Sequence, residues 1–250
     1  MAAFPTPVQK FHQTTYDAIS PALPALSQKG KNVIITGGGA GIGQAVALSF
    51  AKASVTNLAL LGRRLQPLEE TKTLISTSYP NVSVYIYSAD VTDEAALTQV
   101  FSTFAQAANG PIHSLIANAG VHPGLGLALD TDSKTLLEGF TANTIGTLNT
   151  VKAFMPHIPL EPDSTGFRAR IIHTSTGAAQ VDFPHMMSYS VGKAAAVKLL
   201  QHFALENPDI FVLNYHPGII ATAMNDVTEA YGMVLEPKDD SESALYPVGM

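Results

Sequence analysis

The chain has 250 residues, of which 46% are hydrophobic and only 14% charged, and 14 Lys and Arg against 20 Asp and Glu leave a net charge of −6. Soluble domains average about 25% charged residues, and disorder demands high charge with little hydrophobicity, so this composition folds around a core rather than staying unstructured. The acidic balance builds no basic face for nucleic acid or an anionic membrane, and the absence of cysteine excludes disulfide frameworks, thiolate nucleophiles and Cys-ligated metals.

A reducing, cytoplasmic setting is expected. The first residues, Met1-Ala2-Ala3-Phe4-Pro5, show no basic segment followed by an apolar one, so no signal peptide is read, and Asn81-Val82-Ser83 is taken as a chance match to a glycosylation acceptor. Two long charge-free stretches, 32–51 and 95–129, are interrupted by Gly37, Gly38, Gly39, Gly41 and Gly43 and by Asn109-Gly110-Pro111. Neither reaches the ~18 continuous apolar residues of a membrane span.

Residues 1–30 hold Pro5, Pro7, Pro21, Pro24 and Gly30 and read as a peripheral arm with a short helix near 16–19. From Asn32 onward the periodicity alternates between short apolar runs and helical spacing. Strands are expected at 33–35, 57–61, 82–87, 112–117, 170–174 and 210–215. Helices are expected at 44–53, with Ala45, Val46, Leu48 and Phe50 inward, at 65–78, and at 93–108 behind a Thr92 cap. Helices of roughly 10–15 residues between short strands make right-handed crossovers and a parallel sheet. The expected fold is a single α/β domain, a Rossmann-like doubly wound parallel sheet in three layers spanning 31–222. No solenoid repeat or low-complexity tract interrupts it.

The first strand runs directly into Thr36-Gly37-Gly38-Gly39-Ala40-Gly41-Ile42-Gly43 and a helix. Glycines there let backbone amides approach a pyrophosphate at the positive end of a helix dipole. The strict G-x-G-x-x-G pattern fails, because Ile42 stands at its third glycine counting from Gly37. A glycine-rich turn serving only tight strand–helix packing is the alternative reading of the motif by itself.

The spacing T-G-x-x-x-G-x-G resembles that of the short-chain dehydrogenase/reductase family, classical type, and the resemblance runs from about Lys31 to Thr222. It is carried further by Asp90-Val91 after strand three, Asn118-Ala119-Gly120 after strand four, and Pro217-Gly218 with Ile220 and Thr222 after strand six. The resemblance implies that Asp90 and Val91 contact adenine and that the segment from Pro217 to Thr222 meets the nicotinamide end. Thr36, Gly37, Gly41, Ile42 and Gly43, with Asn118, Ala119 and Gly120, complete the expected cofactor site.

The choice of cofactor has a physical argument. A carboxylate at the end of strand two would bond a ribose 2′-hydroxyl and repel a 2′-phosphate. Here that end reads Leu61-Gly62-Arg63-Arg64, and a planar guanidinium pairs well with phosphate. NADP(H) is expected, with Arg63 as its main contact; two solvated arginines opening the next helix are the alternative.

Tyr189-Ser190-Val191-Gly192-Lys193 places a phenol and an ammonium at i and i+4 on one helix face. A phenol with an ordinary pKa near 10 is a poor base at neutral pH, and a nearby ammonium is expected to stabilise its phenolate. The resemblance adds Ser175, fourteen residues before Tyr189, as the hydroxyl that orients a substrate carbonyl. It adds Asn143 as the asparagine that holds a water linking Lys193 to solvent. It implies hydride transfer between nicotinamide and a carbonyl carbon, with Tyr189 as proton donor and Lys193 on the nicotinamide ribose. The expected activity is an NADP-dependent interconversion of carbonyl and alcohol on a small, largely apolar substrate. A dehydratase or isomerase on the same scaffold, or an idle NADP-sensing regulator, are the alternatives.

His113, His122, His173, His185 and His216 form no ligand set with helical i, i+4 spacing, so no metal is expected, and His122 and His185 are read as pocket borders. Phe183-Pro184-His185-Met186-Met187 is expected to line an apolar substrate site. The segments 143–155 and 189–205 are apolar on more than one face, and in the resembled family such helices pair with their copies, so a homodimer is expected. Beyond Thr222, residues 223–250 read as a partial lid helix at 227–233 and a mobile tail. No convincing seventh strand is read there, because 236–243 is polar and Pro247 and Gly249 break the segment 244–250.

Overall fold

The computed structural model describes residues 15–218 together with Ile220, Thr222 and Met224. The apolar runs form six strands: β1 (Asn32–Thr36), β2 (Asn57–Gly62), β3 (Ser83–Ser88), β4 (Ser114–Ala117), β5 (Ala169–Thr174) and β6 (Ile210–Tyr215). They lie side by side in the order 3-2-1-4-5-6, every pairing parallel. The strands read as nearly continuous hydrophobic runs because a parallel sheet is covered on both faces.

Six α-helices supply the cover: α1 (Gly41–Lys52), α2 (Leu65–Ser78), α3 (Glu94–Ala107), α4 (Ser133–Phe140), α5 (Gly146–Phe154) and α6 (Met187–Glu206). Val33, Ile35, Leu58, Leu60 and Ile116 pack on one face against Val46 and Ala47 of α1 and Leu68 and Ile75 of α2. Ile34, Leu61, Leu115 and Ile171 pack on the other against Phe101 and Phe104 of α3, Phe154 of α5 and Leu200 of α6. Each fully buried Val, Ile, Leu or Phe among these stabilises the fold by about 1.5–3 kcal/mol relative to exposure. The result is the expected three-layer, doubly wound sheet.

Its departures from the expected boundaries have local causes. Helix α1 starts at Gly41, so the glycine loop itself forms the first turn. The cap of α3 is Asp93, not Thr92: the Asp93 carboxylate accepts the Ala96 N–H at 2.9 Å. Strand β4 begins at Ser114 because the His113 ring intervenes, its Nδ1 accepting the Asn32 N–H at 3.0 Å. Helix α4 has no counterpart among the expected helices. It is capped by Asp132, which accepts the Thr135 N–H at 2.8 Å, and it continues through a π-helical turn (Thr141–Ile145) into α5. Near the start of the described chain, the short helix expected at 16–19 is a 3₁₀ turn (Asp17–Ile19).

The strand order reverses between β1 and β4, whose carboxyl ends therefore splay apart and open a crevice. Among the described residues no helix is long and apolar enough to cross a membrane. The expected lid helix, the 244–248 segment and the tail lie outside the described residues.

Candidate active site

The crevice is a cleft of about 1030 Å³ over the carboxyl ends of the strands. Its floor is the glycine loop. Gly37 and Gly41 have φ of +69° and +53°, a region that favours glycine. A Cβ on Gly37 would lie 2.9 Å from Asn118 Nδ2, and one on Gly43 would lie 2.0 Å from the Gly37 carbonyl oxygen. No side chain caps α1 at Ala40, which leaves its first N–H groups to a ligand. A backbone cradle with no room for side chains, headed by an uncapped helix N-terminus, fits a dinucleotide pyrophosphate.

Thr36, expected to touch cofactor, braces the cleft. The Thr36 hydroxyl oxygen accepts the N–H groups of Asn118 and Ala119, each at 3.0 Å. Asn118 Nδ2 returns to the carbonyls of Thr36 (3.2 Å) and Gly37 (3.4 Å). Asn118 Oδ1 takes the Thr174 hydroxyl at 3.1 Å, which in turn accepts from the Tyr215 hydroxyl at 3.2 Å. One polar chain thus joins β1, β4, β5 and β6 at their carboxyl ends. Gly37, Gly41 and Ile42 line the cleft itself, with Asn118, Ala119 and Gly120 opposite them. Pro217, Gly218, Ile220 and Thr222 close one end.

At the other end Arg63, with Asp90 and Val91, faces the cleft. One Asp90 oxygen accepts the backbone N–H and the hydroxyl of Thr92, at 2.9 and 2.8 Å. The other lies 3.9 Å from the Arg63 guanidinium, and both side chains are largely open to solvent. Such an exposed pair contributes little and leaves the guanidinium free to meet a ligand.

Tyr189 and Lys193 sit one turn apart on the buried face of α6. Lys193 Nζ donates to the Thr174 carbonyl at 2.8 Å. Burial lowers the Lys193 pKa to about 8. Burial also pushes the Tyr189 phenol up to about 12, against the opposing pull of a hydrogen bond from Thr176. The expected lowering of the phenol by the ammonium is therefore not what the chain displays: desolvation dominates over the Thr176 hydrogen bond, and Tyr189 is held protonated.

The hydroxyl beside Tyr189 belongs to Thr176, not to Ser175. Spacing along the chain points to Ser175, which lines the same cleft and whose backbone N–H bonds the Tyr215 carbonyl at 2.8 Å. The Thr176 oxygen accepts the Ala178 N–H at 3.2 Å, which turns its hydroxyl proton toward the phenol. Asn143 is anchored from its side chain. Its amide embraces the backbone of Val121, accepting from the N–H and donating to the C=O, both at 2.9 Å. The side chain thereby fixes the loop after β4. A Cβ on Gly120 would lie 2.9 Å from Asn143 Oδ1 and 3.3 Å from Lys193 Nζ, so only glycine lets loop, asparagine and lysine meet.

Two further features flank the phenol. The His122 ring stacks on Tyr189 with centroids 4.8 Å apart and an interplanar angle of 16°. Met186, Ala178 and Tyr189 form a small apolar cluster with Leu125 and Phe183 packed against it, and of the segment 183–187 Met186 lines the cleft. Among the described residues, no three His, Cys, Asp or Glu side chains gather as a metal site.

Residues 31–231 match the family described as short chain dehydrogenase. The chain is 32% identical over 226 residues to the short chain dehydrogenase/reductase nsrO of Aspergillus novofumigatus, covering 88% of this chain and 74% of that one. It is 30% identical over 222 residues to human short-chain dehydrogenase/reductase 3, covering 87% and 68%. Among solved structures it resembles an alcohol dehydrogenase from the archaeon Thermococcus sibiricus complexed with 5-hydroxy-NADP, at TM-score 0.74 and 23% identity over 86% of this chain and 87% of that one. A Burkholderia cenocepacia short chain dehydrogenase in complex with NADP gives TM-score 0.73 at 23% identity, covering 87% and 88%.

Proposed function

Because the chain belongs to the short chain dehydrogenase family, we propose that it is an NADP(H)-dependent oxidoreductase interconverting a carbonyl and an alcohol on a small, largely apolar substrate. The observation that carries this reading is the buried Tyr189 phenol, hydrogen-bonded to Thr176 and one helical turn from the Lys193 ammonium, at the floor of the glycine-lined cleft.

A bound nicotinamide dinucleotide supplies or accepts the hydride, and the chain supplies placement and the proton. In reduction, the phenol of Tyr189 donates its proton to the carbonyl oxygen as negative charge develops there. A pKa near 12 keeps that proton available across the physiological range. Thr176, its hydroxyl proton already directed at the phenol oxygen, stabilises the phenolate left behind. Lys193 holds positive charge next to the same group, and Asn143 holds the Val121 loop against it. The apolar neighbours Met186, Phe183 and Leu125 exclude water around the reacting carbon and favour an apolar substrate body.

NADP(H) over NAD(H) is supported by Arg63 at the end of β2, where no carboxylate stands to bond a 2′-hydroxyl. Two of the structural relatives are themselves described in complex with NADP or its 5-hydroxy form. The test is consumption of NADPH and NADH with a panel of aromatic and aliphatic ketones. NADPH-dependent turnover that is lost in Tyr189→Phe is expected; turnover retained by that variant would assign the proton to another group.

A further inference from the structure

The His122 imidazole is half-buried and lines the cleft, stacked on the catalytic phenol. Among the described residues, neither of its ring nitrogens has a hydrogen-bond partner, and neither is open to solvent. Desolvation lowers its pKa, so the ring is neutral at physiological pH, with one N–H donor and one bare acceptor. An orphaned buried polar atom destabilises the fold that holds it. A phenylalanine would give the same stack at 4.8 Å without that cost, so the stack alone does not account for a histidine here. The ring itself lines the cleft, so a turn of the imidazole offers a nitrogen to something that enters there.

Elsewhere in the cleft the polar groups expected to meet a dinucleotide are the loop's backbone amides, Arg63, Asp90 and Lys193, whereas His122 stands over the ring of Tyr189, where the reacting carbonyl docks. We propose that His122 is the specificity-determining residue of this enzyme, and that it selects carbonyl substrates bearing a second oxygen, a hydroxyl or carbonyl, one or two carbons from the reacting carbonyl. With the two rings stacked 4.8 Å apart, both polar groups reach one small substrate, which suits a 1,2- or 1,3-relationship and not a distant group. The ring turns about its Cβ–Cγ bond as the substrate enters, exchanging two unpartnered nitrogens for a hydrogen bond to that second oxygen. Met186, which lines the cleft and is backed by Phe183 and Leu125, offers an apolar surface to the rest of the molecule. A site that pairs a substrate hydroxyl discriminates strongly against the analogue lacking it, because the site's own polar group is then left unpaired.

This inference rests on the oxidoreductase reading above, and the test separates the two. Two near-isosteric pairs are reduced with NADPH: 2-hydroxyacetophenone against propiophenone, and 3-hydroxypropiophenone against butyrophenone. The wild-type enzyme is expected to favour the oxygenated member of at least one pair by about tenfold or more in kcat/KM. His122→Phe, which keeps the stacked ring, is expected to erase that preference, bringing the oxygenated and plain ketones of each pair to within about threefold of one another, with NADPH affinity unchanged. His122→Gln, with one donor and one acceptor, is expected to restore part of it. A calorimetric comparison of 1-phenylethane-1,2-diol with 1-phenylpropan-1-ol, in both wild type and His122→Phe, reads the same preference without turnover. Absence of a preference in the wild type, or its persistence in His122→Phe, overturns the proposal. Failure of the wild type to reduce any of the four ketones overturns the oxidoreductase reading itself.

Discussion

The Lys193 ammonium donates to the Thr174 carbonyl oxygen at 2.8 Å, tying the last residue of β5 to α6 four residues beyond Tyr189. Burial brings its pKa down to about 8, so the charge beside the phenol disappears as pH rises through that value. Tyr189, near 12, stays protonated over the same range. The kcat/KM for NADPH-dependent reduction is therefore expected to be level from pH 6 to about 7.5 and to fall to roughly a tenth by pH 9. A profile still level at pH 9.5 would show that the lysine charge is not required.

Thr176 and Ser175 make opposite predictions when exchanged for residues without a hydroxyl. Thr176→Val removes the donor to Tyr189 and is expected to lower kcat by about 10². Ser175→Ala is expected to cost less than about tenfold. Thr176→Ser should recover most of the loss, which a merely structural role for the threonine methyl would not allow. Single-turnover reduction with NADPH held saturating measures the step directly.

Arg63→Ala tests the cofactor choice. Charge-assisted hydrogen bonds contribute about 1.5–3 kcal/mol each, so NADPH affinity is expected to fall by roughly 10- to 100-fold while NADH affinity is unchanged. Fluorescence titration of both cofactors reads the difference. Equal weakening of the two would move the 2′-phosphate contact elsewhere.

Much of this is legible in the chain, and the parts that are not share a cause. Runs such as Val33-Ile34-Ile35 and the loop from Gly37 to Gly43 announce themselves, since burial on both sheet faces and the steric need for glycine act on neighbouring residues. Thr176 is missed in favour of Ser175 because counting back from Tyr189 cannot tell which hydroxyl at the end of β5 turns toward α6. The bond from Ala178 to Thr176 decides it, and that bond exists only once the 3₁₀ turn (Gly177–Ala179) has formed. The His122–Tyr189 stack joins residues from separate elements and leaves no local pattern. Helix α4 does leave one, since Asp132 with Thr135 three residues on is a capping arrangement, but the irregular segment before it masks the signal.

His173 makes a prediction about stability. It is 1% exposed, its Nδ1 lies 2.8 Å from Asn214 Oδ1, and its pKa is driven down to about 3, first by desolvation and then by the charge of Lys193. A base whose folded pKa lies below its unfolded value of 6.5 contributes stability that is complete above 6.5 and is lost as pH falls toward 3. By pH 4 the loss from this group is about 3 kcal/mol. Urea unfolding at pH 7 and pH 4 should show His173→Gln losing less stability between the two than the wild type does. Equal losses would place the acid sensitivity in other groups.

Assembly follows from the two faces of α6. Its inner face, with Gly192, Lys193, Ala196, Val197 and Leu200, is buried in the protomer. Val191 nonetheless remains 43% exposed, and Ile145, in the π-helical turn that packs against α6, is 36% exposed. Apolar residues beyond those the sheet can cover have a reason if a second copy covers them. A homodimer formed through α5 and α6 is expected, burying at least the roughly 1,000 Å² that a specific interface needs. Val191→Asp places a charge in the middle of that face and should shift the protein to monomer in multi-angle light scattering at micromolar concentration. Because Gly192 and Lys193 follow on the opposite side of the same turn, the monomer is also expected to lose activity through a loosened α6. A wild-type chain that is monomeric at that concentration would refute the pairing.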